Sequence, residues 1–249
     1  MQWHALAISD QEAPLRLARS PCGTLYVELL GARAGLRPSG ALWLPEAGLL
    51  AVGDMHLEKG SSFAARGQLL PPYDTVATLD RLEAEIIALS PRTLVLLGDS
   101  FHDVRALARL APPDARRVGA LGRGLDLIWV TGNHDAALEG QEGLPGRTAE
   151  AVPAGPLILR HEPSPGARQG EVAGHLHPCA RLSAGGGAVR RRAFLTDGER
   201  LVLPAFGAYA GGLNVRDPAF GGLFRAPPVA GLLGRERVHP VAYAALAPD

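Results

Sequence analysis

Cysteine is scarce in this chain. Only Cys22 and Cys179 occur among 249 residues, far apart. That excludes a disulfide framework and any CxxC zinc motif, and it suits a reducing compartment, so a cytoplasmic location is expected. Aromatic residues make up 5% of the chain, which leaves few platforms on which bases could stack. Charge of neither sign prevails: Lys+Arg and Asp+Glu are both 25. Total charge therefore does not mark a strongly basic nucleic-acid binder, although a local basic face stays compatible with neutrality. Long apolar runs are also missing. The window from Ala41 to Val52 is broken by Pro45 and Glu46, so no membrane-crossing helix is expected. The start, Met1-Gln2-Trp3-His4-Ala5, lacks the basic segment and apolar core of a signal peptide.

The 47% hydrophobic content is enough for a sizeable core. Thr24 to Leu30 reads as a strand, and Ala41–Leu44 with Leu49–Val52 as a hairpin around Pro45-Glu46-Ala47-Gly48. Residues 60–73 read as a loop. Asp74 is the expected N-cap of a helix over Thr75–Leu89, with Val76, Leu79, Leu82, Ile86 and Leu89 at helical spacing. Thr93–Leu97 is a strand buried on both faces, because its apolar run is unbroken. A short helix over Val104–Leu110 should end at a Pro112-Pro113 break. Long loops are expected over 139–170, a Gly-rich turn at Ser183–Gly187, and a strand at Leu201–Leu203. The stretch after Val215 is rich in Gly and Pro and carries no pattern. The order is hairpin, β-α-β-α-β, then mostly β. It predicts an α/β fold with two sheets packed face to face and helices outside. No linker divides the chain, so one domain over 1–249 is expected.

Five apolar runs each lead into ligand-type residues. Leu49–Val52 leads into Gly53-Asp54-Met55-His56, and Leu94–Leu97 into Gly98-Asp99. Leu127–Val130 leads through Thr131 into Gly132-Asn133-His134-Asp135. Leu157–Leu159 leads through Arg160 into His161-Glu162, and Glu171–Ala173 into Gly174-His175-Leu176-His177. In α/β sheets, ligands bind beyond the carboxyl ends of the strands. Six of the eight His lie in or beside these ends: His56, His102, His134, His161, His175 and His177. One such His is ordinarily structural; six together point to a shared centre.

Asp, Asn and His without Cys suit Mn, Fe or Zn in a mixed nitrogen and oxygen site. A single structural zinc needs four ligands. Here there are seven candidates: Asp54, His56, Asp99, Asn133, His161, His175 and His177. That number suits two divalent ions sharing a carboxylate, an arrangement that clamps in-line displacement at phosphorus. In Asp54-Met55-His56 and His175-Leu176-His177 an extended backbone would aim both ligands one way and the apolar residue the other. The glycines before Asp54, Asp99, Asn133 and His175 would allow sharp turns and close approach.

At these residues the chain resembles the calcineurin-type metallophosphoesterases, whose blocks are Asp-x-His, Gly-Asp, Gly-Asn-His-(Asp/Glu), an isolated His and Gly-His-x-His. All five occur in order over residues 53–177. The resemblance implies a four-layer sandwich of two mixed β-sheets with helices on the outer faces. It implies that Asp54, His56 and His177 hold one metal, that Asn133, His161 and His175 hold the other, and that Asp99 bridges them. A bridging hydroxide would attack phosphorus, and His134 would stabilise charge or protonate the leaving oxygen. Asp135 would orient His134 or cap a helix. The second block departs from Gly-Asp-x-x-Asp, since Asp103 stands one place late. The fourth begins with Arg160 where Gly is usual. Neither change removes a ligand; both leave the parts of His102 and Asp103 open.

Asp54 to Gly60, Gly98 to Asp103, His161-Glu162-Pro163, Gly174 to Pro178 and Leu203 to Val215 also resemble the bacterial ligase-associated DNA damage response endonucleases. That resemblance implies a manganese-dependent phosphodiesterase or endonuclease acting on DNA in repair. It would be functionally associated with an ATP-dependent DNA ligase, a helicase and a metallo-β-lactamase-type exonuclease. Other readings are a phosphoesterase of small nucleotides or phosphomonoesters, favoured by the neutral charge, and a non-enzymatic repair scaffold. The run Arg190-Arg191-Arg192 reads as a solvated strand end, because alternate residues of a strand face opposite sides. Arg66, Arg105, Arg109, Arg116 and Arg117 lie nearer the expected mouth. Phe101 and Tyr209 are lone aromatics that suit packing better than base contact.

Overall fold

The structure is a computed structural model that describes residues 3–6, 15–68, 70–132, 144–184 and 187–249. Nine strands form the first sheet, in sequential order: β1 (Trp3–Leu6), β2 (Leu15–Arg19), β3 (Leu25–Leu29), β4 (Ala32–Leu36), β5 (Leu42–Leu44), β6 (Leu49–Gly53), β7 (Thr93–Leu97), β8 (Asp126–Val130) and β9 (Arg147–Ala149). The strands up to β6 pair antiparallel, and β6 to β9 run parallel. Parallel neighbours need crossovers. These carry the helices α1 (Lys59–Ala65), α2 (Asp74–Leu89), α3 (Ala106–Arg109) and α4 (Pro112–Val118).

One residue, Glu150, separates the first sheet from the second. The latter contains β10 (Ala151–Ala154), β11 (Leu157–Arg160), β12 (Glu171–Ala173), β13 (Cys179–Ala184), β14 (Gly187–Thr196), β15 (Leu201–Val202), β16 (Val229–Leu233) and β17 (Val238–Ala242). Its order is β10-β11-β12-β15-β14-β16-β17, with β13 paired to the outer half of β14. The pairs β11–β12 and β12–β15 are parallel.

Period-2 alternation explains the unbroken apolar runs. In β6, Leu49 and Ala51 enter the core between the sheets, while Leu50 and Val52 face the helices. Val95, Leu97, Ile128 and Val130 repeat the inner pattern, and Leu94, Leu96, Leu127 and Trp129 the outer one. Strands buried on both faces have no polar side to display. Phe194, Leu201 and Val229 close the central core from the second sheet. The α/β architecture of two mixed sheets face to face is thus the expected one. All four described α-helices cover the first sheet. The outer face of the second is covered by Val215, Phe220, Leu223 and Leu246, which lie in turns and beside or within short 3-10 helices.

Several local expectations change. Lys59–Ala65 is a helix and not part of a loop. Asp74 is the first helical residue, not the cap; its carboxylate accepts a hydrogen bond from the Gly60 amide at 3.0 Å, which holds α1 against α2. Val76 is exposed and lies off the buried stripe. Pro112-Pro113 begins α4, since proline suits the first turn, where its missing N–H is no loss. Strands β9 and β10 occupy part of the expected long-loop region. The unpatterned tail contains β16 and β17, and Pro240 is tolerated because β17 is an edge strand.

Candidate metal centre

The loops after β6 and β7 continue the parallel pairing beyond the sheet. The amides of Asp54, His56 and Leu57 donate to the carbonyls of Gly98, Asp99 and Ser100 at 3.2, 2.9 and 3.0 Å. This zipper sets the two carboxylate-bearing loops side by side. From the second sheet, His161 leaves β11, and His175 and His177 leave β12. The sheets are stitched together at this end. The two oxygens of Asp54 accept from the His175 amide at 3.2 and 3.0 Å, and within the second sheet the Gly174 amide donates to His161 O.

Two clusters result. Asp54, His56 and His177 form one, and Asp99, His161 and His175 the other. Within each, the ligand atoms lie within 4.8 Å of one another. His56 Nε2 stands 3.3 Å from His177 Nε2, and His175 Nδ1 stands 3.2 Å from His161 Nε2. His177 Nε2 is 3.1 Å from Asp54 Oδ1, and His161 Nε2 is 3.6 Å from Asp99 Oδ1. Two nitrogens held at about 2.0–2.1 Å from one tetrahedral ion stand roughly 3.3 Å apart. The imidazole pairs therefore have the spacing of nitrogens sharing a cation. His161 Nδ1 lies 3.2 Å from the Leu97 carbonyl. Donation there leaves the Nε2 lone pair facing the cluster, as a metal ligand requires. The donor set and its spacing fit two divalent ions.

The backbone at this end is unusual. Asp54, His56, Asp99, His175 and His177 all have positive φ, between 43° and 67°. Only three other described non-glycine residues share that region, which is sparsely used by L-residues. The expected extended alternation is thus wrong in its mechanism. Left-handed turns, and not a β geometry, aim the ligands, while Met55 still enters the helix-side core and Leu176 packs on the second sheet. Such strain persists only where surroundings enforce it, and it clusters at functional sites.

Three of the four expected glycines are required by close approach. A Cβ on Gly98 would fall on the His161 ring. One on Gly132 would lie 2.5 Å from the Asp99 amide, and one on Gly174 2.5 Å from Asp54 Oδ2. Gly53 has ordinary room, 3.7 Å or more. Asn133, His134 and Asp135 lie outside the described residues.

The segment 203–215 frames the first cluster. Ala205 bridges Gly53, and the amides of Phe206 and Gly207 donate to Gly53 O and Asp54 O at 2.8 and 3.1 Å. Just beyond His177, the Cys179 amide donates to Leu213 O at 2.7 Å and the Val215 amide to Cys179 O at 2.9 Å. The sequence suggested this segment through resemblance alone; its physical task is to hold the Asp54 turn.

Neighbouring residues divide into contacts and supports. His102 stands edge-on to His56 at 6.0 Å and stacks on Phe63 at 6.1 Å. Asp103 receives two hydrogen bonds from Arg109, both at 2.9 Å. Burial alone would raise its pKa, but the bonds from Arg109, Ser62 and the Arg105 amide outweigh it and hold Asp103 at about 2. Arg109 also bonds Ser61, so Asp103 helps to fix α1 through Arg109. Arg66, Arg105 and Arg109 line a pocket of about 340 Å³ beside α1. Arg117 instead pairs with Asp80 and Glu83 on α2, and Arg116 is exposed. Phe101 stacks on Trp129 in the core, and Tyr209 donates to Pro71 O, so both serve packing.

Sequence reasoning missed Arg200 and Glu171. Arg200, 1% exposed, pairs with Glu171 and donates to the carbonyls of Ser164, Gly166 and Leu223. It thereby ties down the chain that follows His161. No motif marks it; an isolated Arg between Glu199 and Leu201 reads as a surface residue.

Fold and clusters together fit a metallophosphoesterase and nuclease family. Among solved structures, the chain is similar to the Pseudomonas putida nuclease MPE. The TM-score is 0.69 and the identity 28%, covering 88% of this chain and 100% of that one. The E. coli phosphoesterase Yfce is a weaker likeness, at TM-score 0.41 and 16% identity over 78% of this chain and 98% of that one. No family model matches the chain, and no curated protein sequence does.

Proposed function

We propose that this chain is a dinuclear metal-dependent phosphodiesterase, a nuclease acting on DNA in repair. The observation that carries the reading is the pair of Asp/His clusters, one ligand spacing wide each, at the shared end of the two sheets. The fold they sit in matches a whole nuclease chain. Asp54, His56 and His177 would hold one ion. Asp99, His161 and His175 would hold the second, with Asn133 added and Asp99 shared between them. Manganese suits this oxygen and imidazole set, and iron or zinc would also be accepted. When bound, such ions supply Lewis-acid polarisation of a phosphoryl oxygen and a water of lowered pKa.

His134 would donate a proton to the leaving oxygen or stabilise the charge that grows there. His102, beside His56, would face the bound ester. A cytoplasmic repair role beside an ATP-dependent DNA ligase, a helicase and a metallo-β-lactamase-type exonuclease follows from the resemblance of residues 53–215.

Manganese-loaded protein should hydrolyse a bis-aryl phosphodiester and nick plasmid DNA. His134→Ala should retain two equivalents of metal by elemental analysis and lose at least about 100-fold in kcat. Full activity in that variant would remove His134 from the reaction. The neutral charge favours one competing substrate, a small nucleotide. Turnover of a nucleotide without salt dependence, and none of DNA, would select it.

A further inference from the structure

The arginines of this protein that leave solvent are paired with carboxylates almost everywhere. Arg37 pairs with Glu85 at 2.7 Å, Arg109 with Asp103 at 2.9 Å, Arg117 with Glu83 at 2.9 Å, and Arg200 with Glu171. Among the described residues, Arg181 departs from this pattern singly, donating to Pro248 O, and one cluster departs from it together. Arg81 from α2, Arg191 and Arg192 from β14, and Arg235 from the turn between β16 and β17 line a pocket of about 370 Å³. Among the described residues, none of these four has a carboxylate partner, whereas the adjacent Arg190 is paired with Asp249 at 3.0 Å.

Arg81 and Arg192 are half-buried and both approach the same three-residue segment. Arg192 donates to Ala205 O and Gly207 O at 2.9 Å each. Arg81 donates to Phe206 O and lies over the Phe206 ring at 4.5 Å. Its buried Nε has no hydrogen-bond partner. Carbonyls satisfy donors but do not neutralise charge, and two like charges drawn together away from water are unfavourable unless an anion joins them. Burial first, then the Arg192 charge, lowers the Arg81 pKa to about 10, so it remains a cation at neutral pH. The expectation of a solvated strand end therefore holds for the exposed Arg190 and Arg191 and fails for Arg192.

The location gives the cations a direction. The amides of Phe206 and Gly207 bond Gly53 and Asp54, while their carbonyls face the guanidiniums. The pocket is thus two hydrogen bonds away from Asp54, at the same end of the sheets as the clusters. Arg191 and Arg235 stand exposed at its rim. Guanidinium is the side chain best suited to phosphate, through paired N–H donors.

We propose that this pocket binds a backbone phosphate of a nucleic-acid strand whose neighbouring phosphodiester lies over the Asp54–His56–His177 cluster. The proposal rests on the phosphodiesterase reading of that cluster. A free phosphate held here would sit beside the clusters and not at them, whereas a strand reaches both.

The test uses full-length manganese-loaded protein and a fluorescein-labelled DNA oligonucleotide with phosphorothioate linkages that resist cleavage, with affinity read by anisotropy over a range of salt. Arg191→Glu combined with Arg235→Glu changes two rim residues and should fold. It should weaken DNA binding at least about tenfold and lower the slope of log K against log salt by about 1–2. A charge-matched control, Arg16→Glu with Arg225→Glu, should stay within about twofold of wild type. Unchanged DNA affinity in the pocket variant, or an equal loss in the control, overturns the proposal. Loss of inorganic phosphate binding with DNA affinity intact also overturns it, and would mark a free-anion site. Hydrolysis of a bis-aryl phosphodiester by wild type is measured separately. Its absence removes the phosphodiesterase reading, while the binding comparison still decides whether the pocket holds a strand.

Discussion

On the first sheet, Asp54, His56 and Asp99 follow β6 and β7, strands whose two faces are sealed in hydrocarbon. On the second, His161, His175 and His177 follow β11 and β12, where only the inner face is so sealed. There Ile158 is exposed, and Glu171 at the start of β12 is buried against Arg200. One half of the centre is therefore held by packing and the other by a buried ion pair with its carbonyl partners. Packing resists change in pH and salt. A buried pair resists little once one partner is removed, because the charge left behind has no water to receive it.

That contrast can be broken most severely at Arg200. Arg200→Leu should destabilise the protein by about 4 kcal/mol, since Glu171 loses its buried cation and keeps only Ser164 and the more distant Arg160, while three carbonyls lose their donor. Denaturant unfolding measures it. The double change Arg200→Leu with Glu171→Leu should recover part of the loss; no recovery would mean that packing, not charge, holds this half as well. On the other side, Leu96→Ala opens a cavity between β7 and the helices and should cost about 3 kcal/mol. Its effect should not vary with salt.

A finer probe acts where the two halves meet. Gly174→Ala sets a Cβ 2.5 Å from Asp54 Oδ2. Metal affinity, by competition with a chromophoric chelator, should fall about 10–100-fold, with only a small change in melting temperature. Unaltered affinity would show that the stitch between the sheets yields easily. The smallest effect is expected at Asp103. Its folded pKa, about 2, lies below the ordinary 3.8. Its contribution is therefore complete above the unfolded value and vanishes as pH falls through about 2. Asp103→Asn should cost about 1–2 kcal/mol at neutral pH. The gap to wild type should close between roughly pH 4 and pH 2. A gap that persisted at low pH would mean that the Arg109 contact does not depend on the carboxylate charge.

The parts that could be read from the chain were those with local causes. The runs Leu49–Val52, Leu94–Leu97 and Leu127–Val130 are apolar at every position because both faces are buried, and they are strands in the structure. Helix α2 has its own periodicity. Helix α1 has none: Gly60, Ser61 and Ser62 are poor helix formers, and the turn is held from outside by Asp74 and Arg109. Strands β16 and β17 were hidden by glycine and proline that an edge position and the pairing with β14 allow. The candidate ligands stood out because their residue types have few other reasons to gather at strand ends, and the structure brings six of them together.

Sequence alone determined which residues are available as candidate ligands, that their number suits two ions, and that glycine precedes four of them. Tertiary structure decided the rest. It grouped the six described candidate ligands into two sets of three, joining residues 121 positions apart in the case of His56 and His177. It replaced an extended backbone by left-handed turns, gave Arg200 and Glu171 their supporting part, and brought to one pocket four arginines with no carboxylate partner among the described residues. Charge and spacing along a chain do not report which side chains meet, because that depends on how two sheets pack, and packing joins residues without regard to their separation in sequence.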